Sequence, residues 1–552
     1  MIKKSFILLI IGSILFIVYS YKGQIVINLI SVINGMTNHI EDNRPINWTK
    51  HSNNNIDRTK PNIIFILADD LGFNDISLHN KNNKDAPATP NIDALAKSGV
   101  VFTNGYAASA TCSPSRASIM TGRYSTRFGF DYTPYPKTAS RILNLISKES
   151  EDDLPTINSE NVDWEQVGLF VGGMPSEEVT IAEMLQNNGY YTALVGKWHL
   201  GGLNEGMRPS DQGFEDSLMM TSGLYLPKNH PDVINAKADH LIEDMIWASS
   251  LHAVNFNNSK QFQPNGYLTD YLTEEAVKVI NNNKDRPFFL YLSHWAPHNP
   301  LQSLSKDYQK HSHMNDHTKQ VYSGMITALD RSIGEVVKAL KENGIADNTI
   351  IIFTSDNGGA GYIGLDDINK PYRGWKMTFF EGGMHVPFLI KWPNEIDAGQ
   401  KYEERIHHVD IFHTILGAAN IDAPSNIEYD GVNLLPYIKG ENKDIPHDAL
   451  FWKDATYQAV ISEDWKLIRS ELPNKQYLYN LKLDPFEKNN LIEKELNIKK
   501  RLNKMLDKHV SNQKKPLYNE SIYVPVLIDK PSTEKYKAVS YTHLRAHETD
   551  LN

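Results

Sequence analysis

Cys112 is the only cysteine in a chain of 552 residues, and it stands in the run ATCSPSRASIMTGRY, Ala110–Tyr124. Pro114, Ser115 and Arg116 follow it, and Thr121-Gly122 begins nine residues on. A proline suits the first turn of a helix, where its missing N–H does no harm. The spacing predicts a helix that begins at or just after Cys112 and runs to about Thr121. Free N–H groups and the helix dipole at such an end favour an anion. Cys112 is therefore placed for chemistry on an anionic group. The competing reading is a buried thiol that caps a core helix.

Five further groups have residue types that could work beside it. Asp69-Asp70 follow an apolar run, and two adjacent acids repel unless a cation or solvent compensates. Asp356-Asn357 follow another such run and add two oxygen ligands. A hard divalent ion bound by oxygen fits this set, with a solvated Asp-Asp-Leu-Gly turn as the alternative for the first pair. Lys197 and His199 in GKWHLG follow a third run, and strand alternation would put them on one side. His298 lies between Pro297 and Pro300 in SHWAPHNP, held stiffly enough for a positioned acid or base, with His294 as its rival. Lys376 and the Glu381-Gly382-Gly383 turn share the stretch Tyr372–Pro387.

The elements that must position these residues read as α/β. Ile63–Ala68, Tyr190–Val195, Phe288–Leu292, Thr349–Thr354 and Phe388–Trp392 are short apolar runs, as expected for strands buried on both faces. Helical stretches lie between them at Thr89–Ser98, Glu177–Asn187, Leu268–Asn282, Thr318–Asn343 and Val409–Ala418. In the longest, Val321, Met325, Leu329, Ile333, Val336 and Leu340 trace one stripe. Ligands of open α/β sheets sit at the C-terminal ends of the strands, where the candidate residues fall. The expected architecture is a large mixed, mostly parallel sheet flanked by helices. A smaller C-terminal α+β domain follows, with strands near Leu450–Trp452, Gln458–Ile461, Trp465–Arg469 and Gln476–Asn480 and a helix from about Glu493 to His509. Gly206–Leu218 reads as a loop returning to the sheet, Thr138–Trp164 as an excursion over the active face, and Leu224–Lys260 has few sharp signals.

A net charge of −10 argues against a broad nucleic-acid-binding surface. With one cysteine, no intrachain disulfide can form. Lys3 and Lys4 precede an uncharged run, Phe6–Tyr19, of signal-peptide length. Residues 1–22 are thus a signal peptide or N-terminal membrane anchor, with cleavage or retention left open, and 23–60 a linker. The catalytic domain is expected over 61–435 and the C-terminal subdomain over 436–530. The string SYTHLRAHETDLN resembles translated sequencing-adapter read-through, so 539–552 is set aside, with His543 and His547, as an artefactual tail.

The pattern C-x-P-S-R followed by T-G, with D-D, G-K-W-H-L-G, P-H-x-P and the D-N-G-G to E-G-G segments, resembles the type I, formylglycine-dependent sulfatases of the alkaline phosphatase superfamily. The resemblance runs from Asn62 to Pro387 and implies an alkaline-phosphatase-like fold and a sulfuric ester hydrolase. It implies that Cys112 is oxidised to formylglycine by a formylglycine-generating or anaerobic sulfatase-maturing enzyme. The aldehyde hydrate would then attack sulfur, release the alcohol and expel sulfate by collapse to the aldehyde. Asp69, Asp70, Asp356 and Asn357 would bind one Ca2+, with Mg2+ the alternative. Arg116 would support the hydrate, Lys197 neutralise sulfate oxygens and His199 act as base. His298 and Lys376 would face the leaving oxygen. The family often has Arg where this chain has His385. The expected substrate is a sulfated carbohydrate or aryl sulfate, and the expected location is exported: periplasmic, extracellular or membrane-anchored facing outward. A phosphoester hydrolase using the same nucleophile and a catalytically silent carbohydrate-binding relative are the competing readings.

Overall fold

A computed structural model of the chain describes residues 39–51, 59–80, 86–133, 172–202, 205–238, 241–365, 367–454, 457–470 and 475–517. The leader, the excursion at Thr138–Trp164 and the tail from Val539 lie outside the described residues. Among the described residues, no helix is long and apolar enough to cross a membrane.

The strand Asn62–Ala68 lies near the middle of a nine-stranded sheet, and all seven of its residues are buried. It has no polar face because helices cover both sides, which is why it reads as an unbroken apolar run. Burying one such Ile or Phe side chain contributes about 1.5–3 kcal/mol. In spatial order the strands are Gln400–Tyr402, Val100–Phe102, Phe388–Lys391, Thr349–Ser355, Asn62–Ala68, Phe288–Ser293, Tyr191–Gly196, Asp216–Met220 and Val254–Phe256. The five from Thr349–Ser355 to Asp216–Met220 run parallel. Phe388–Lys391 and Val254–Phe256 pair antiparallel at either side. The sheet is mixed and mostly parallel, as expected.

The helix His317–Glu342 packs its expected stripe on the sheet, with Val321, Met325, Leu329, Ile333, Val336 and Leu340 all buried. Asp316 caps it by accepting the Lys319 N–H at 2.9 Å. One helix is shorter than the spacing predicts. It spans Ile181–Asn187 rather than starting at Glu177. Thr180 Oγ1 accepts the Glu183 N–H at 3.1 Å while Glu183 Oε2 accepts the Thr180 N–H at 2.8 Å, and this capping box sets the start. The weakly patterned Leu224–Lys260 region holds a helix, Leu241–Ser249, and two short strands.

A separate four-stranded antiparallel sheet, Ala449–Asp454, Tyr457–Ser462, Trp465–Ser470 and Lys475–Asn480, follows near the C-terminus. The helix Leu496–Ser511 covers one face through Leu502 and Leu506. The other face, through Trp452, Ile461, Ile468 and Tyr479, shares a core with Tyr106, Ala110, Phe380 and Met384. The second sheet therefore packs against the segment just before Cys112 and the turn just after Lys376.

Candidate active site

Four neighbouring parallel strands deliver the site. Asp69-Asp70 follow Asn62–Ala68, Asp356-Asn357 follow Thr349–Ser355, Lys197 follows Tyr191–Gly196, and the His298 segment follows Phe288–Ser293. The strand Tyr191–Gly196 ends where Gly196 takes φ 114°, and a Cβ there would come within 1.9 Å of the Ser293 carbonyl oxygen. Only glycine fits this approach.

Cys112 is the first residue of the helix Cys112–Thr121, all of which is buried. Its thiol points at Asp69 Oδ1, 3.5 Å away, with Asp70 Oδ1 at 3.9 Å. Burial pushes the thiol up, and the negative charge of Asp356 adds to it. Burial thus disfavours the thiolate form of an unmodified Cys112.

The three carboxylates are matched by three cations. Lys197 Nζ lies 2.6 Å from Asp69, and Lys376 Nζ lies 2.7 Å from Asp70. Arg116 reaches Asp356 Oδ2 through Nε and Nη2, both at 2.8 Å, and Asp69 at 3.3 Å. Its Nη1 donates to Ser293 Oγ at 2.5 Å and to the Lys197 carbonyl at 3.1 Å. Its contacts tie strand ends together through carboxylates and a serine, and it holds Asp356 rather than hydrogen-bonding Cys112. Burial raises Asp69 to about 7, with Asp356 as the next cause. Asp356 goes the other way, because Arg116 and the two lysines outweigh its burial. Asp70 adopts φ 61°, a left-handed backbone that costs a non-glycine residue roughly 1–2 kcal/mol.

Strand alternation does not bring Lys197 and His199 together, because the strand has already ended at Gly196 and His199 has φ 63°. His199 is half-buried beside the cations. Burial and then Lys197, Arg116 and Lys376 hold its imidazole well below the ordinary range. His298, not His294, faces the site. His298 Nε2 lies 3.1 Å from Lys376 Nζ and 3.4 Å from Asp70 Oδ2. His298 Nδ1 donates to the Asn299 carbonyl at 2.6 Å, and Trp295 stacks on its ring at 3.7 Å. His294 turns into the core and meets Ser332 Oγ at 2.8 Å.

Oxygen donors make the cluster suitable for a hard cation. Asn357 Oδ1 is buried with no hydrogen-bond partner among the described residues, an orphan that a bound cation would satisfy. Asp69, Asp70, Cys112 and His298 present ligand atoms within 4.8 Å of one another. That compact set shares Asp69 and Asp70 with the expected four. The carboxylates with Asn357 are the better fit, because both nitrogens of His298 are already engaged and a protonated thiol is a poor ligand.

Sequence reading missed Ser293, which receives Arg116, and Glu243, which holds Asn299. Ser293 closes an apolar strand, and that terminal polar residue is a usable signal. Glu243 lies on a helix remote in sequence and carries none.

A family model described as Sulfatase matches residues 61–421, and one described as N-sulphoglucosamine sulphohydrolase, C-terminal, matches residues 373–516. The chain is 32% identical over 428 residues to the uncharacterized sulfatase YdeN of Escherichia coli (strain K12), covering 71% of this chain and 68% of that protein. It is 32% identical over 393 residues to the human N-acetylgalactosamine-6-sulfatase, covering 70% of this chain and 67% of that one. A solved structure, Ps i-CgsB in complex with k-i-k-neocarrahexaose, superposes with a TM-score of 0.67 at 29% identity, over 84% of this chain and 95% of that one.

Proposed function

The chain belongs to the sulfatase family and is a sulfuric ester hydrolase, and from that premise we propose that it removes sulfate from a carbohydrate ester using Cys112 in its formylglycine form. One observation carries this reading. Cys112 opens a buried helix with its Sγ 3.5 Å from Asp69, among three carboxylates and three cations, where burial disfavours a thiolate. As the aldehyde hydrate, the same position supplies an oxygen nucleophile to sulfur and a second hydroxyl for the return to aldehyde. Asp69, Asp70, Asp356 and Asn357 would hold Ca2+, or Mg2+ in its place, which when bound supplies fixed positive charge opposite sulfate oxygens.

The chain's own residues divide the remaining work. Lys197 Nζ, on the Asp69 side, offers its charge to sulfate oxygens. His199 has an Nδ1 without a hydrogen-bond partner among the described residues and a depressed basicity, so it can take and return a proton. Lys376 and His298 stand together on the Asp70 side, where a leaving oxygen would need a proton. Arg116 keeps Asp356 and the strand ends in register. The carbohydrate substrate class is supported by the relatives' names and by the oligosaccharide on the solved neighbour. Export to the periplasm, the cell surface or the medium is proposed from the leader. Fractionation of the native host tests it, and a purely cytosolic protein would overturn it.

Mass spectrometry of the Cys112 peptide tests the chemistry. Expression beside a maturing enzyme should lower its mass by about 18 Da, the difference between cysteine and formylglycine. An unmodified thiol in active enzyme would overturn the mechanism. Turnover of an aryl sulfate should exceed that of the matched aryl phosphate, and the reverse preference would assign a phosphoesterase.

A further inference from the structure

His385 lies outside the site, yet its surroundings are built for a cation. Its Nδ1 lies 3.1 Å from Glu381 Oε2 and its Nε2 lies 2.8 Å from the Thr103 carbonyl oxygen. Both partners are acceptors. A neutral imidazole has one N–H and would leave a lone pair facing one of them, whereas the doubly protonated ring donates to both. Three aromatic rings enclose it: Phe73 at 4.3 Å, Tyr372 at 4.8 Å and Tyr106 at 5.1 Å between centroids. Such faces favour a cation. The Tyr106 hydroxyl also donates to Glu381 Oε2, at 3.0 Å.

Glu381 carries the link onward. Its Oε1 meets Nζ of Lys466, a fully buried lysine on the C-terminal sheet, at 2.8 Å. Lys466 also meets Glu487 Oε1 at 2.9 Å, and Glu487 Oε2 accepts the Glu381 N–H at 2.7 Å. Glu381, Glu487, Lys466 and His385 thus close one buried network, in which burial raises the Glu487 carboxyl to about 7 against the pull of Lys466. Burial would raise Glu381, but Lys466 and then His385 outweigh it and hold the carboxyl at about 2.

The turn that bears Glu381 is seated backbone to backbone on the active site. Gly358, next to Asn357, donates its N–H to the Gly383 carbonyl at 3.0 Å. Gly382 donates to the Arg373 carbonyl at 2.7 Å, and Lys376 donates its backbone N–H to Gly359 at 3.0 Å. A Cβ on Gly358 would fall 1.9 Å from the Gly382 carbonyl oxygen, so this packing has no slack. A shift of the turn therefore moves Asn357 and Lys376 together.

We propose that His385 is held as a doubly protonated imidazolium, and that with Glu381, Lys466 and Glu487 it is the positioning device through which the C-terminal sheet sets Lys376 and Asn357. The activity arm of its test rests on the sulfatase reading above, while the spectroscopic arm does not.

Imidazole 15N spectra of the whole protein at neutral pH, with His385 assigned through bonds from its own backbone, should show both ring nitrogens protonated. A single N–H would overturn the proposal. His385→Gln should keep the fold by circular dichroism, leave KM near wild type and lower kcat about tenfold or more, as small misplacements of reacting groups do. His385→Arg, a permanent two-sided donor, should restore most of it. A folded His385→Gln enzyme with wild-type kcat would overturn the positioning role. Should either variant misfold, Lys466→Met supplies the same comparison from the other sheet. If the wild-type enzyme cleaves no sulfate ester, the functional reading fails and the 15N result still decides the charge of His385.

Discussion

His298 Nε2 and Lys376 Nζ meet at 3.1 Å although 78 residues separate them in the chain. The direction of the bond follows from the other ring nitrogen. His298 Nδ1 gives its proton to the Asn299 carbonyl, so Nε2 accepts and the lysine donates. Burial and then Lys376 hold the imidazole well below its ordinary range. Lys376 is therefore the member of the pair that carries the proton, and His298 directs it.

Leaving-group dependence checks that division. Lys376→Met should lose about 10²–10⁴-fold in kcat on an alkyl or sugar sulfate, whose alcohol needs a proton to depart. The loss should be much smaller on an activated aryl sulfate. Equal losses on both would remove Lys376 from proton donation.

Glu243 supports the same histidine from behind. It accepts from the Asn299 side chain and from Trp247 Nε1 at 3.2 Å, while the Asn299 carbonyl receives His298. Glu243→Leu leaves the Asn299 amide buried without its acceptor, which costs about 1–3 kcal/mol of stability and should lower kcat. Chemical denaturation and steady-state rates measure both.

Burial pushes Glu243 up to about 7. A carboxyl raised on folding favours the folded state while protonated. Its contribution is full below its unfolded value and is lost as pH rises through about 7. Glu243→Gln, which keeps an acceptor and never ionises, should gain stability relative to wild type between pH 5 and pH 8. Denaturation midpoints at the two pH values give the comparison, and parallel values would refute it.

Arg116 is the buried counter-charge for Asp356 and Asp69. Arg116→Met leaves Asp356 without its buried counter-charge, while Asp69 keeps Lys197, and should cost about 3–5 kcal/mol, read as a lower denaturation midpoint. Arg116→Lys keeps the charge and loses the fork, so it should recover only part of that stability.

A chelator should lower Tm of the purified enzyme, and added Ca2+ should restore it. A cation at a hundred times its Kd stabilises by about 2.7 kcal/mol. Asp70→Asn should blunt the response. A Tm indifferent to both chelator and Ca2+ would argue against a cation among Asp69, Asp70, Asp356 and Asn357.

Much of this molecule is legible in its sequence because the signals are local. Buried parallel strands read as apolar runs, and polar residues just past them mark the ligand side of the sheet. A proline after Cys112 marks a helix start, observed at Cys112 itself. The paired acids, the GKWHLG string and the PHNP string needed no partner to be noticed.

Tertiary structure alone decided who pairs with whom. His294 and His298 are four residues apart and chemically alike, yet one turns to Ser332 in the core and the other to Lys376. Strand alternation failed at His199 because a left-handed backbone, not a strand, aims that ring. Arg116 lies about one helical turn from Cys112 in the sequence, but which carboxylate it grips was decided only by folding: Asp356, 240 residues away. Glu243 and Lys466 carry no local signal, since a buried hydrogen bond or ion pair is set by the approach of two distant segments. Residue types and strand ends determined which chemistry was available. The approach of distant strand ends and their loops decided how those residues are charged and held.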